Sequence, residues 1–521
     1  MYTQNFISYS NYGYVALKKQ STSSPVIPDQ YLRVINDKVI PSFNIIPINE
    51  VAGSRERMRN SVQGTIEVGG PLEFYVEEKM IGHFLRSVFG APTTQTVTTG
   101  AYRHVFEVTT TPLTYTFDIA VANAPWVHRF FNTYITKLTF SQSDNAIKCS
   151  AELMPTKAFI TARVTTAAAS GTVLLVDQNA GLVAGDTILV LDQTDSFTTK
   201  ATLTVSAVNA DGVTLTVSTI GASLAVDDLV VIKRAATSAV VYSQCQPFQF
   251  SNGTEVYTGA DIDNTAARVT EDFGIEINSE TERHFGSGLT EGDRYPYAIV
   301  VKGYSATGKL SKFFDSDEYL DKLRANQRMG VRYFMQGTHY VVANSAQKAR
   351  SNFGSTNGYY VEAATAGKAG NDLNITIVMN TIDTLAASKS GNNILLKLAN
   401  ATAANNTGTL IAAILDALTG VDSTANGDGS QTFTSADVLP NTNLGFKSSG
   451  VNVVGADASQ KPYLDFDFAS GNIKPFFVNN ADNSVVMQEV PLDFYYDENC
   501  TNTQQKLWST RVFLFNGVSS Y

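Results

Sequence analysis

Aromatic residues are distributed very unevenly along this chain of 521 residues. Residues 159–236 contain two aromatic residues and residues 341–460 contain five, whereas the other 323 residues contain 47. All five His, both Trp and all three Cys also lie outside those two stretches. Such an abrupt change of composition at two places predicts two units inserted into one aromatic-rich core. The core is then discontinuous and comprises residues 1–158, 237–340 and 461–521.

The core segments are predicted to be mainly β. Apolar and polar residues alternate, or β-branched residues predominate, in eight short runs, as expected for half-buried strands. These runs are 62–68, 115–121, 134–140, 147–153, 273–277, 297–301, 485–494 and 511–515. The motif SQSDN (141–145) predicts a hairpin turn. Two short amphipathic helices are predicted at 77–89 and 315–326, where acidic residues near the start suit the helix dipole.

These elements occur twice in the same order. In the first core segment, a strand ending in IIPIN is followed by a polar loop (50–61), a second strand and the first helix. In the next core segment, the strand GIEIN is followed by a polar loop (279–296), a second strand and the second helix. We interpret this order as a tandem duplication of a small β-sandwich that carries one helix. The alternative is that two unrelated β domains share this outline.

The two insertions have different patterns. The pattern of residues 159–236 predicts an all-β unit. It contains two similar segments, GLVAGDTILVLD and ASLAVDDLVVIKR. Its acidic residues Asp186, Asp227 and Asp228 are interpreted as turn residues before apolar strands rather than as metal ligands. Residues 341–460 predict two strands and then a helix at 409–420, which indicates an α/β unit. Its tail, 421–460, is rich in Ser, Asn, Gly and Asp and is predicted to be loop-like.

Searching for catalytic, metal and cofactor motifs gives no positive assignment. GYSATGKL (303–310) has the spacing of a phosphate-binding loop, but Leu310 stands where a hydroxyl is needed, so a turn between strands is the preferred interpretation. The five His have no metal-binding spacing. Cys149, Cys245 and Cys500 are too far apart for a zinc knuckle and suggest a reducing compartment. The sequence therefore predicts a protein without catalytic residues, metal or cofactor.

The overall charge and hydropathy favour an assembly subunit. The formal net charge is −10, which disfavours unaided binding to DNA or to anionic membranes. No apolar run is long enough to span a membrane, and the first residues do not resemble a secretory signal. Charged residues make up 17% of the chain, which is low for a soluble protein. Interface cores are depleted of charge, so this composition is compatible with extensive contacts between subunits.

Several core segments resemble, in order, the tail tube (major tail) protein of long, non-contractile-tailed bacteriophages. The first is a strand with Gly and Pro that leads to a helix with a Phe-Gly stop. The resemblance is carried by GTIEVGGPLEFYVEEKMIGHFLRSVFGA (64–91), YITKLTFSQSDNAIKCSAELM (134–154), PFQFSNGTEVYTG (247–259), FGIEINSETERHFGSG (273–288), YLDKLRANQ (319–327) and VVMQEVPLDFYYDE (485–498). The two insertions depart from the family pattern.

This resemblance implies a structural virion protein whose strands join across subunits into rings that stack as a tube. The expected partners are other copies of the chain, the tape-measure protein and later double-stranded DNA in the lumen without specific binding, and the tail terminator and tip proteins. The expected location is the virion tail, after synthesis in the host cytoplasm. Because single-domain relatives close as hexamers, a duplicated subunit is expected to form a trimeric ring with pseudo-sixfold symmetry. The alternatives are a baseplate or fibre binding protein and a subunit of a bacterial injection tube.

Two further expectations concern surfaces. The two polar loops occupy matching places in the repeats and mix charges of both signs, which suits the setting of register between stacked rings. Their candidate residues are Arg55, Glu56, Arg57, Arg59, Glu280, Glu282, Arg283, Glu291, Asp293 and Arg294. The insertions are expected to project outward from a tail without a contractile sheath, and each is expected to fold alone, so that deleting 160–235 or 342–459 should still permit assembly.

Overall fold

The structure is a computed structural model, and it describes most of the chain. The described residues are 13–49, 58–98, 101–109, 112–120, 124–143, 145–243, 245–251, 254–259, 265–268, 270–285, 294–313, 317–337, 348–354, 357–366, 370, 372–443, 461–476, 478–479, 487–495 and 510–521. Antiparallel strands dominate them, which confirms the prediction of a mainly β protein.

The first core segment forms ten strands and one helix, α1 (Ile81–Phe89). The strands are β1 (Val15–Lys19), β2 (Gln30–Leu32), β3 (Asn36–Asp37), β4 (Ile40–Asn49), β5 (Met58–Tyr75), β6 (Thr93–Thr98), β7 (Ala101–Glu107), β8 (Tyr115–Ala120), β9 (Trp126–Ser143) and β10 (Ala146–Phe159). Ser143 pairs with Ala146 across the turn that SQSDN predicts, and Asn145 adopts a positive φ of 67° there. The helix is shorter than predicted because residues 77–80 form a turn before it.

The first insertion contains only strands among its regular elements, apart from a single 3₁₀ turn (Thr237–Ala239) just after it. The strands are β11 (Ala162–Arg163), β12 (Val173–Leu175), β13 (Thr187–Asp192), β14 (Thr198–Val208), β15 (Thr214–Val217) and β16 (Leu229–Lys233). Asp186 and Asp228 each accept a hydrogen bond from the backbone N–H three residues earlier, at 2.8 and 2.7 Å. Both carboxylates therefore stabilise turns before apolar strands, as predicted.

The second core segment and the second insertion follow. The segment forms β17 (Glu255–Gly259), β18 (Thr265–Arg268), β19 (Asp272–His284), β20 (Ala298–Phe313), α2 (Glu318–Arg324) and β21 (Met329–Gln336). The insertion forms β22 (Arg350–Phe353), β23 (Tyr359–Ala363), β24 (Asn374–Met379), β25 (Ala386–Ser390), β26 (Asn393–Leu398), α3 (Gly408–Asp416), β27 (Val421–Ala425) and β28 (Leu439–Asn443), with 3₁₀ turns at Ala403–Asn406 and Ser435–Asp437. The last two strands correct the prediction that 421–460 is loop-like, since both pair with strands of the unit.

The chain returns to the core with four strands, β29 (Tyr463–Ile473), β30 (Val478–Asn479), β31 (Met487–Phe494) and β32 (Thr510–Asn516). Eight strands form one continuous antiparallel sheet, here called the front sheet, in the order β3, β5, β10, β9, β19, β20, β31, β30. Behind it, β8, β21, β29, β32 and their neighbours form the back layer. Aromatic and aliphatic side chains fill the space between, as where Phe140 of the front sheet lies 4.9 Å from Phe466 of the back layer.

Strand registers repeat between the two halves of the core. We call β1–β10 the first repeat and β17–β21 with β29–β31 the second repeat. The matching cross-strand pairs are Val15–Ile119 with Val256–Tyr333, Asp37–Leu72 with Phe273–Leu310, Phe117–Phe130 with Val331–Phe468, and Leu153–Ile135 with Leu492–Ile473. Even the irregularities coincide, because a register shift before Phe117 has its counterpart before Val331. Two repeats with the same pairing and the same bulge support the duplication.

This equivalence locates both insertions. The first follows β10 and therefore lies between the repeats. The second lies between β21 and β29, at the place of the short β8–β9 connection in the first repeat. Its ends are adjacent, since the Gly337 N–H donates to the Pro462 carbonyl over 2.8 Å.

Candidate functional site: a polar sheet face, two hairpin arms and two sheet edges

The outward face of the front sheet is polar. Buried and half-exposed residues alternate along 146–155 of β10 and 272–279 of β19, where buried Cys149 and Ile275 have half-exposed Lys148 and Glu276 as neighbours. Four cross-strand ion pairs lie on this face: Lys148–Glu73 at 2.9 Å, Lys137–Glu276 at 2.8 Å, Lys309–Asp272 at 3.1 Å and Lys474–Asp493 at 2.7 Å. Each of these four lysines thus has a carboxylate as its immediate neighbour.

Additional carboxylates leave this face acidic. Glu152 and Glu489 also lie on it, between core residues of β10 and β31. Burial raises the pKa of Glu152, and this effect is opposed by nearby Lys137 and Arg283. Phosphate binding requires available positive charge. Because the lysines on this face are paired with carboxylates, the face is not suited to binding phosphate groups.

Two β-hairpins extend beyond the sandwich from the same region. Arm 1 comprises β4 and the first half of β5, paired from Ile40–Gly69 to Asn49–Met58. Arm 2 comprises the second half of β19 and the first half of β20, paired out to His284–Ala298. Both arms have a register shift in corresponding positions, near Phe43 in arm 1 and Glu280 in arm 2, and arm 1 has a second shift next to Asn49.

The predicted ring-stacking residues fall in or near these arms. Arg55, Glu56, Arg57, Glu291 and Asp293 lie outside the described residues. Arg59 lies in β5, and its side chain is also outside the description. Glu280, Glu282 and Arg283 belong to β19, so the strand extends six residues into the segment that the sequence predicts to be a loop. Arg294 lies just before β20.

Arg283 joins the two arms. Its Nη1 donates to Glu67 Oε2 at 2.7 Å, and its Nη2 donates to the Val68 carbonyl. Within arm 2, Glu282 pairs with Lys302 across the hairpin. Arg283 thereby fixes the second repeat's arm against the base of the first repeat's arm.

Arm 1 exposes apolar side chains that the sequence analysis did not select. Ile45 is 60% exposed, and Phe43, Ile46 and Val62 are more than half exposed or close to it. Scattered exposed apolar residues are ordinary, whereas five on one hairpin, with Ile40 at 64% as the fifth, indicate a surface that is covered in an assembly. The segment IPSFNIIPIN carries the signal, because its apolar residues continue across two prolines without the alternation of a half-buried strand.

Buried charges attach the first insertion to the back layer. Arg129 of β9 is 1% exposed. It donates hydrogen bonds to Asp118 of the neighbouring strand β8 and to Asp186 of the insertion, over 2.7 Å in each case. Burial lowers the pKa of Arg129, but both carboxylates outweigh this effect and raise it. Ala16, Ala120 and Val127 of the first repeat also share a hydrophobic cluster with the insertion. The insertion and the first repeat therefore have a common core.

The second insertion has a core of its own residues, which form a separate hydrophobic cluster. Its Asp372 acts electrostatically on Arg103 and Arg332 of the back layer. Burial lowers the pKa of Arg103, and Asp372 is among the groups that oppose the shift. Asp118, which binds Arg129 together with Asp186 of the first insertion, and Arg332, on which Asp372 of the second insertion acts, occupy equivalent positions in the back layer. The first insertion also pairs with the start of β9 through its strand β16.

Other sequence motifs have structural places. GYSATGKL forms the middle of β20, paired on both sides, so the interpretation as a turn is wrong and a phosphate-binding loop is not present there. Within the described ranges, no three His, Cys, Asp or Glu side chains converge as metal ligands would. No helix in the part of the chain that the structure describes is long and apolar enough to span a membrane.

Comparison with known proteins relates part of the chain to a family. No curated protein matches the chain. Residues 11–237, which contain the first repeat and the whole first insertion, match the family model described as phage tail tube protein. The matched segment thus includes an insertion that the sequence analysis regarded as a departure from the family pattern. Through this segment, which is less than half of the chain, the protein is similar to phage tail tube proteins.

Proposed function

We propose that three copies of this chain form a ring, that the rings stack into the tail tube, and that the front sheet lines the channel through which DNA passes. The observation that carries the proposal is the continuous front sheet, in which β9 of the first repeat pairs with β19 of the second. One chain thus already contains one joint between two equivalent sandwich units. A ring that alternates internal joints with joints between copies has six units in three chains.

The polar face supports the assignment of the channel wall. Its lysines are held in cross-strand ion pairs, and its additional carboxylates repel phosphate. Double-stranded DNA and, before it, the tape-measure protein would contact this face without specific binding. The tail terminator and tip proteins would bind the two ends of the tube.

The arms support ring-to-ring stacking. Arm 1 offers exposed apolar side chains, and arm 2 offers charges. Both insertions are linked to the back layer, the first through Asp118 and the second through Arg332, so they would project outward from the tube, where a close contractile sheath would not fit.

Negative-stain electron microscopy of concentrated protein tests this function. We expect hollow tubes whose averaged cross-section has threefold symmetry with six similar lobes. Charge reversal in Arg55→Glu together with Arg57→Glu should give rings that do not stack. Discrete trimeric particles in the unmodified protein would instead support the binding-protein alternative, and six complete chains per ring would contradict the trimer.

A further inference from the structure

The internal joint identifies the residues of the joint between copies. Inside one chain, Ser141–Lys137 of β9 pair antiparallel with Gly274–Asn278 of β19. The repeat equivalence assigns a counterpart to each side. Residues 38–42 correspond to 274–278, because Asp37 and Phe273 occupy matching positions. Residues 475, 476, 478 and 479 correspond to 137, 138, 140 and 141, because Ile473 matches Ile135 and Asn479 matches Ser141.

The two counterpart segments, one at the start of β4 and one around β30, lie at opposite ends of the front sheet. Residues 38–42 border β5 on one side and have no partner strand on the other among the described residues. The same is true of β30, which pairs with β31 alone in the described part of the chain. Open sheet edges present backbone hydrogen-bonding groups that another strand can satisfy.

The burial of side chains at these edges is incomplete in the way that a missing partner strand would explain. Leu138 and Ile277 face each other in the internal joint and are fully buried. Their counterparts Phe476 and Pro41 are only partly buried. Phe476 already packs against the main core, as Leu138 does.

We propose that residues 475–479 of one copy pair antiparallel with residues 38–42 of the next copy, with Pro475 opposite Ser42 and Asn479 opposite Lys38. This inference rests on the proposed ring assembly and specifies its register. The occupant of each edge is a second copy of the same chain, because the internal joint has the same strands in the same order.

Pro41 makes this joint selective. The Lys38 N–H donates to Pro71 of β5, so the backbone groups of Val39 and Pro41 face outward by the alternation of an antiparallel strand. Pro41 presents a carbonyl but no N–H. A strand that requires a donor at this position is disfavoured, whereas the N–H of Phe476 in the proposed register finds an acceptor.

Disulfide trapping tests the register. Ser42→Cys and Pro475→Cys are made in separate proteins in a Cys500→Ser background, since the natural Cys149 and Cys245 are buried. Ser42 and Pro475 are exposed. Mixing, assembling and oxidising the two proteins should give a covalent dimer in high yield. A single chain that carries both substitutions should give covalent species no larger than a trimer.

Two controls make the outcome decisive. Lys137→Cys with Asn278→Cys places the same chemistry at the equivalent internal pair and should form a disulfide within one chain. Lys38→Cys mixed with Pro475→Cys is displaced by four residues, about 13 Å, and should not form one. Tubes that assemble without the Ser42–Pro475 cross-link would overturn this register while leaving the tube function intact. A protein that forms neither rings nor tubes would instead overturn the proposed function.

A second variant tests the joint without cysteine. Ile40 is 64% exposed at the edge, and Ile382 is 60% exposed on the second insertion. Ile40→Lys should reduce ring formation at least tenfold in sedimentation assays, whereas Ile382→Lys should assemble like the unmodified protein. Equal assembly of both variants would contradict the proposal that the sheet edge at 38–42 forms the joint between copies.

Discussion

Arg129 donates from Nε and Nη2 to the two carboxylate oxygens of Asp118, over 2.7 and 2.8 Å. In the second repeat the equivalent cross-strand positions hold the same charges in reverse, with Asp467 in place of Arg129 and Arg332 in place of Asp118. That second pair is separated by 3.6 Å. The hydrogen bonds of Arg332 are made to Asp465 of the same neighbouring strand. Opposite charges therefore face each other across the strands at this position in both repeats, but only the Arg129–Asp118 pair is joined by hydrogen bonds.

Arg129→Met should therefore destabilise the protein by about 3–5 kcal/mol, because Asp118 and Asp186 would remain buried without a cation. Denaturant unfolding of the soluble subunit measures this change. Arg163→Met, at a half-exposed arginine of the same insertion, is the control and should cost less than about 0.5 kcal/mol. Comparable losses of unfolding free energy in both variants would show that the buried ion pairs stabilise the protein no more than an exposed one.

His83 is expected to make the subunit acid-sensitive. Burial, with a contribution from Arg86, lowers the pKa of His83 to about 4. The ring lies edge-on to Tyr115 and Tyr521, at centroid distances of 5.9 and 5.1 Å. Between about pH 6.5 and pH 4 the unfolded chain binds a proton that the folded chain does not, so stability is complete above pH 6.5 and falls as the pH decreases toward 4.

The contribution of this single group is at most about 1.4 kcal/mol per pH unit. His83→Gln should flatten the stability profile in that window, even if it lowers stability at pH 7. Unfolding curves between pH 7 and pH 4.5 measure the slope. An unchanged slope in the variant would assign the acid sensitivity to other groups.

Arm 1 should act through its apolar side chains as well as its charged tip. Ile45→Asp is expected to leave the subunit folded and able to form rings, because this side chain is 60% exposed, but to prevent stacking. Ile382→Asp has the same initial exposure on the second insertion and should stack normally. Electron microscopy distinguishes rings from tubes, and tubes of normal length in Ile45→Asp would remove arm 1 from the stacking contact.

Many of the strands could be predicted from the sequence because they depend on local composition and period. Alternation along Ile147–Leu153 determines one buried face whatever its partner is. The sequence predicts a loop at 279–284 because the polar side chains there indicate no buried face. They form a strand because β20 supplies cross-strand partners for all six residues.

Long-range relationships were beyond sequence reasoning. Nothing local to Asp186 indicates that Arg129, 57 residues away, is its partner. The exposed face of arm 1 was also missed, because a search for charged residues in loops passes over apolar residues in strands. Equivalent registers, from which the joint between copies follows, become visible only when the strand pairs are known.

The two insertions should respond differently to deletion. The sequence predicts that each insertion folds alone. In the structure, the first insertion shares a hydrophobic cluster with the first repeat, whereas the second has a cluster of its own residues. Replacing 342–459 with a short Gly/Ser bridge should leave the core intact, because Gln336 and Tyr463 are already paired and the residues of this insertion form their own cluster. Thinner tubes with unchanged ring spacing are the expected product in electron microscopy.

Deleting 160–235 should instead be costly. The deletion would uncover Tyr14 and Val127 and remove Asp186 from Arg129. Exposing two large apolar side chains of this kind costs about 3–6 kcal/mol, which is a large part of the stability of a typical domain. We therefore expect this variant to be insoluble or to unfold at much lower denaturant concentration than the 342–459 deletion. Equal solubility and tube yield for the two deletions would mean that the first insertion is dispensable for the core, and that its shared cluster and buried arginine contribute little to folding.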